Sequence, residues 1–142
     1  MRSLKRIKNR AGVLIICEKE KKVLLINRIK EGKEYYVIPG GNVEFGETAR
    51  QTAKREMLEM LKYKVGDVEE VFSVSKKDSI ETYFKTYADD VFEVRIHGEE
   101  GRCQSIDNRY IPTWVNYIDI QNINIRPKES KKHIIETLLS LR

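Results

Sequence analysis

Glu56 and Glu59 are the residues of this chain whose type and spacing most directly suggest chemistry. They are three residues apart in a predicted helix, so their side chains project from the same side of it. Neighbouring carboxylates repel one another, and oxygen ligands of this kind suit a hard divalent ion such as Mg²⁺ or Mn²⁺. Two glutamates alone are more typical of a solvated acidic helix face. The metal interpretation therefore depends on the residues around them.

The surrounding segment favours the metal interpretation because it resembles the Nudix box. A glycine turn leads into the helix, and Pro39-Gly40 before it and Gly46-Glu47-Thr48 within it are similar to the family's sequences. The residues in register with the Nudix box are Gly41, Glu47, Arg55, Glu56, Met57 and Glu59. Six placed matches are far more specific than a lone glycine motif, and the resemblance extends over nearly the whole chain.

The resemblance implies a metal-dependent hydrolase. Nudix enzymes cleave a nucleoside diphosphate joined to another moiety by attack of water on a phosphorus atom. By resemblance, Glu56 and Glu59 are metal ligands, or Glu56 orients or activates the water, and Gly40 offers its backbone carbonyl to the metal. Related enzymes bring a further glutamate from a late loop. Here the candidates are Glu99 and Glu100, with Glu100 as the predicted ligand of Mg²⁺ or Mn²⁺, and a solvated loop is the alternative for both.

The catalytic residues that the resemblance implies are Glu47, Arg55, Glu56 and Glu59. In this interpretation Arg55 fixes the carboxylates through an ion pair, with Glu47 as its partner. The substrate is a small nucleotide derivative, and the sequence identifies neither the nucleotide nor the residues that would bind it.

Two positions depart from the Nudix box. Met60 replaces the second glutamate of the family's Glu-Glu pair, and Lys62 replaces its glycine. Methionine offers a neutral thioether, which is a poor ligand for Mg²⁺. Met60 is four residues after Glu56, so it is predicted to lie beside the remaining carboxylates. This loss favours Mn²⁺ over Mg²⁺ and leaves reduced or absent turnover as an open alternative.

Length and composition bound the remaining possibilities. The 142 residues fit one domain, residues 1–142, and no apolar run is long enough for a transmembrane helix. The isolated Cys17 and Cys103 suggest neither a disulfide framework nor a metal site, so a cytoplasmic location is expected. The net charge of +5 includes a basic cluster at residues 2–10. Because the basic residues otherwise scatter without an aromatic-interleaved face, a nucleic-acid partner is not expected. An oligomer is possible.

The predicted elements alternate between strands and helices in an order that indicates an α+β fold. The expected architecture is a Nudix-like α/β/α sandwich around a mixed β-sheet. A buried stripe on the first helix is predicted from Ala49, Ala53, Met57 and Leu61, which recur every four residues. The predicted strands are residues 11–17, 23–28, 34–38, 68–75, 80–88, 91–97 and 110–117. The predicted helices are residues 48–61 and 127–141, and residues 98–108 are predicted to form a loop.

Three functional hypotheses follow. The first is a divalent-metal-dependent pyrophosphohydrolase of a nucleoside diphosphate derivative. The second is a catalytically impaired Nudix domain that binds a nucleotide or a partner. The third is processing of RNA ends or another nucleic-acid function supported by the basic surface.

Overall fold

The computed structural model describes residues 8–141 and contains a mixed sheet with helices on both of its faces. Its strands are β1 (Arg10–Cys17), β2 (Lys22–Lys30), β3 (Lys33–Val37), β4 (Gly40–Asn42), β5 (Glu69–Lys76), β6 (Ser79–Tyr87) and β7 (Asn108–Asn116). Its helices are α1 (Ala49–Leu61), α2 (Gly98–Arg102) and α3 (Lys128–Leu139), with a 3₁₀-helix at Tyr117–Asn122. The predicted α+β architecture with a mixed sheet is confirmed.

The sheet opens between β1 and β2. Its main path runs β3-β2-β1-β6-β5, with β4 paired to β1 and β7 paired to β2. Strand β1 pairs with β2 only through residues 15–17, and at its other end residues 10–12 pair with β4. Beyond this point β2 pairs with β3 along the edge that β1 has left, while β7 pairs with its other edge. The two strands therefore diverge and leave a gap in the sheet.

Two hydrophobic cores form because alternate residues of the central strands point to opposite faces. On one face, Val13 and Ile15 of β1 pack with Ala53 and Met57 of α1. On the other face, Leu14 and Ile16 pack with residues that include Ile134 of α3. Below, these are called the α1-side and α3-side cores. The predicted stripe of α1 faces the first of them, with Ala49 only partly buried.

Local sequence sets both ends of α1. The Thr48 side chain accepts a hydrogen bond from the Gln51 amide, and the Gln51 side chain accepts one from the Thr48 amide, which is a capping box. Lys62 ends the helix in the left-handed conformation, with φ 53°. Glycine usually takes this position, so the lysine fills the missing glycine's structural role at a conformational cost.

Three predictions about elements were wrong. Residues 91–97 form no strand, although Phe92, Val94 and Ile96 do face the α1-side core in alternation. Alternation reports burial on one side, whereas a strand also needs a hydrogen-bonding neighbour, and this segment has no place in the sheet. The predicted glycine loop contains β4, because Gly40 and Gly41 lie close enough to β1 to pair with it. The predicted loop at residues 98–108 begins with the short helix α2.

The basic cluster predicted at residues 2–10 lies mostly outside the described residues. Among the helices of residues 8–141, none combines the length and the apolar character that a membrane crossing requires.

Candidate active site

Arg55 is the centre of the carboxylate cluster on α1. Its Nε lies 2.6 Å from Glu47 Oε2 and its Nη2 lies 3.1 Å from Glu47 Oε1, so the pair is bidentate. The Nη1 group also lies 3.0 Å from Glu56 Oε2 and 3.2 Å from Glu59 Oε2. The guanidinium thus holds three of the predicted site carboxylates in one arrangement.

The contact between Arg55 and Glu47 has a clear electrostatic signature. Hydrogen bonding from Arg55 lowers the pKa of Glu47 to about 2, and the Thr52 hydroxyl and the Glu44 backbone assist it. The same pair raises the pKa of Arg55 above its usual range. Both groups are therefore fully charged at neutral pH, and Arg55 can orient the neighbouring glutamates.

Glu56 is the least solvated of these carboxylates. Its side chain is 13% exposed, against 56% for Glu59. It lies directly on the backbone of Gly41, where a Cβ atom would collide with the carboxylate and displace it. Burial raises the pKa of Glu56 above its usual range; Arg55 opposes this, while the negative charges of Glu100 and Glu59 add to it. An excess of negative charge of this kind favours a bound cation.

The residues predicted to complete the metal site lie nearby. Gly40, Met60 and Glu100 line one cavity of about 580 Å³, whereas Glu99 is exposed. Met60 is 4% exposed, and it both lines this cavity and belongs to the α1-side core. Within residues 8–141, no three His, Cys, Asp or Glu side chains are already gathered in the geometry of a metal site. The oxygen donors suit a hard cation, and their ligand roles stay predictions.

The cavity occupies the gap between the diverging strands. Gly40 and Arg10 line it from the side of β1 and β4, and Ile26 and Arg28 line it from β2. In the described chain, its charged lining consists of five cations and two carboxylates: Arg10, Arg28, Lys76, Arg126 and Lys128 with Glu81 and Glu100. A cavity with this balance attracts anions.

Arg28 is the most deeply buried of the cavity's cations, none of which the sequence analysis named as a site residue. It is 7% exposed, donates one hydrogen bond of 2.8 Å to the Arg109 carbonyl, and stacks on the Tyr110 ring with its Cζ 3.7 Å from the ring centroid. No carboxylate of the described residues forms an ion pair with it. Tyr35, Arg28 and Tyr110 are directly opposite one another on β3, β2 and β7 and so share one face. The available sequence signal was an arginine at the end of a predicted strand, soon after the apolar run Val23–Ile26.

Comparison with known protein families identifies the family of this chain. The model of the NUDIX domain matches residues 7–137, and the chain therefore belongs to the NUDIX domain family. Membership supports a function of the pyrophosphohydrolase type. No curated protein matches the chain.

Solved structures share the fold at low sequence identity. The chain resembles a structure from a study of MutT of Aliivibrio salmonicida and Vibrio cholerae, with 20% identity and a TM-score of 0.68 over 96% of this chain and 98% of that one. It also resembles the MutT protein of Methanosarcina mazei Go1, with 23% identity and a TM-score of 0.63 over 96% of each chain. A NUDIX-family hydrolase from Clostridium perfringens has 18% identity and a TM-score of 0.68 over 96% of this chain and 97% of that chain.

Proposed function

We propose that this chain is a divalent-cation-dependent pyrophosphohydrolase that cleaves a nucleoside diphosphate joined to another moiety. The proposal joins the family's chemistry to two features of this molecule. One is the carboxylate cluster around Arg55 and Glu56, and the other is the cationic cavity beside it. The expected reaction is attack of water on a phosphorus atom of the diphosphate, with release of a nucleoside monophosphate.

The state of Arg28 is the observation that carries the proposal. Removing a guanidinium from water without a counter-ion costs several kcal/mol of free energy. Binding of an anion beside it recovers this cost. The stacking of Arg28 on Tyr110 and its bond to the Arg109 carbonyl fix its position but do not neutralise it. Its remaining donors match the oxygens of a phosphate group. The substrate therefore supplies the missing negative charge.

A divalent cation is expected to be held by Glu56, Glu59, Glu100 and the carbonyl of Gly40. These donors fit Mg²⁺ or Mn²⁺ because all of them are oxygens. A cation would also stabilise the charged form of Glu56, which burial and the charges of Glu100 and Glu59 disfavour, as its raised pKa shows. Such an ion would neutralise phosphate oxygens and acidify a bound water. Met60 contributes no oxygen ligand, which makes metal affinity in the absence of substrate low.

The chain's own residues perform the remaining work. Arg55 holds Glu47, Glu56 and Glu59 close together through ion pairs with each of them. In the alternative to metal ligation, Glu56 orients or activates the attacking water, a role favoured by its burial, which raises its pKa. Arg28 holds the phosphate chain, and the apolar wall at Ile26 and Val37 excludes water from it.

A panel of nucleoside diphosphate derivatives assayed with Mg²⁺ and with Mn²⁺ tests the proposal, with release of monophosphate as the readout. Arg28→Gln should raise KM at least about tenfold, which corresponds to about 1.4 kcal/mol of lost binding. Arg109→Gln is the matched control because it removes an exposed arginine from the neighbouring strand. A panel without any metal-dependent turnover, or equal effects of the two variants, would contradict the proposal.

A catalytically impaired nucleotide-binding domain is the second candidate. One observation favours it, namely that the buried thioether of Met60 lines the cavity where the family places a carboxylate. Tight nucleotide binding that Arg28→Gln weakens, combined with no turnover under either metal, would support this candidate over the first.

A further inference from the structure

Glu81 is a buried carboxylate in the cavity for which the reaction above gives no role. Its side chain is 6% exposed, and it lies on β6 beside the parallel strand β1. Tyr83, two residues later, belongs to the α3-side core, so Glu81 faces the same side of the sheet. Met60, near the carboxylate cluster, belongs to the opposite core. Glu81 and Met60 therefore line the same cavity from opposite faces of the sheet.

Two hydrogen-bond donors hold the Glu81 carboxylate in a fixed orientation. The Tyr83 hydroxyl donates to Oε1 at 2.5 Å, and the ammonium of Lys76 lies 2.9 Å from Oε2. Burial, followed by the bond to Glu81, raises the pKa of Tyr83, so its hydroxyl stays protonated and acts as a donor. Each carboxylate oxygen has two lone pairs, and among residues 8–141 each accepts from one partner, Tyr83 or Lys76. One acceptor site on each oxygen therefore remains for a ligand.

From this geometry we propose that Glu81 selects the part of the substrate that is not phosphate, by accepting hydrogen bonds from an exocyclic amino group of a nucleobase. This inference rests on the proposed function, because it assumes a nucleotide in the cavity. An ionised phosphate has no hydrogen to donate to a carboxylate, whereas the guanidinium of Arg28 offers donors to phosphate oxygens, so Glu81 suits the base. Amino-bearing bases present N–H groups to the carboxylate. The keto oxygens that flank the single N–H of uracil oppose it.

Binding of cytidine 5′-diphosphate and uridine 5′-diphosphate in the presence of Mg²⁺, measured by calorimetry, tests the inference on the unaltered protein. The two ligands differ in an amino group against a keto oxygen. We expect the cytidine compound to bind at least about tenfold more tightly, because a site built to accept an N–H group discriminates strongly against a ligand that lacks it. Equal affinities would overturn the inference without any variant.

Glu81→Gln separates the carboxylate from the rest of the cavity. The amide keeps the size of the side chain but offers a donor as well as an acceptor, so the preference should fall to within about threefold. Tyr83→Phe, which keeps the carboxylate and removes one orienting hydroxyl, should give an intermediate preference. Glu70→Gln, an exposed carboxylate on β5, is the control and should keep the original preference. Retention of the full preference in Glu81→Gln would refute the role of Glu81.

Turnover measured in parallel distinguishes this inference from the proposed function. A preference for the cytidine compound without hydrolysis of any derivative would support the role of Glu81 and refute the enzyme. Hydrolysis with equal binding of the cytidine and uridine compounds would support the enzyme and refute the role of Glu81.

Discussion

Replacing Arg55 with glutamine should remove most of the stability that the site carboxylates contribute above pH 4.5. In the folded protein the pKa of Glu47 falls from 4.5 to about 2, chiefly because Arg55 donates hydrogen bonds to it. A lowered folded-state pKa favours the folded protein when the group is charged. This contribution is complete above about pH 4.5 and is lost as the pH falls towards 2.

The magnitude follows from the shift. About 2.5 pKa units at 1.36 kcal/mol each give about 3 kcal/mol as an upper limit. The Glu47 side chain is 19% exposed, and solvent screening reduces the expected contribution to about 1–2 kcal/mol. Arg55→Gln should therefore lower the free energy of unfolding at pH 7 by at least that amount. The same variant also removes the ion pairs of Arg55 with Glu56 and Glu59, which adds to the loss of stability.

Urea denaturation measured from pH 2.5 to pH 7 provides the assay. The unaltered protein should gain stability between pH 2.5 and 4.5, and both Arg55→Gln and Glu47→Gln should lack most of that gain. Lys19→Gln is the matched control, since Lys19 and Asp90 form an ion pair of 2.7 Å between well-exposed side chains. It should leave the pH profile unchanged. An Arg55→Gln protein with the pH profile of the unaltered chain would refute the assigned electrostatics.

Three further predictions concern the metal site and the charged surface. Glu56→Gln and Glu59→Gln should each lower the hydrolytic rate at least about tenfold and weaken Mn²⁺ binding while the melting temperature shows a folded protein; full activity in both would eliminate the proposed mechanism. Met60→Glu should lower the free energy of unfolding in the absence of metal by about 2 kcal/mol or more, because the new carboxylate is buried. With Mn²⁺ present, the same variant should bind the metal more tightly and turn over faster. A stable variant that gains neither would show that Met60 does not limit the site. Binding to a random RNA oligomer, followed by fluorescence anisotropy, should vanish near physiological salt, and binding that persists would restore the nucleic-acid hypothesis.

Local sequence determined the carboxylate helix and its surroundings. Glu56 and Glu59 share a side of α1 because of helical periodicity alone, and Thr48 caps the helix through a residue three positions away. The contact between Glu47 and Arg55 spans eight residues and one helix start. The family resemblance, now confirmed, rested on the same short segment. Interactions this close in sequence follow from the geometry of the helix and its cap, so the local sequence is enough to predict them.

Tertiary structure decided the cavity and its charged lining. Whether Arg28 points to solvent or into a cavity depends on where β1 and β2 separate and on Tyr35 and Tyr110, which come from two other strands. Residues 91–97 alternate as a strand would, but no neighbouring strand was left for them. Periodicity in a sequence reveals which side of an element is buried. It does not reveal which distant element lies opposite, because that depends on the packing of the whole sheet.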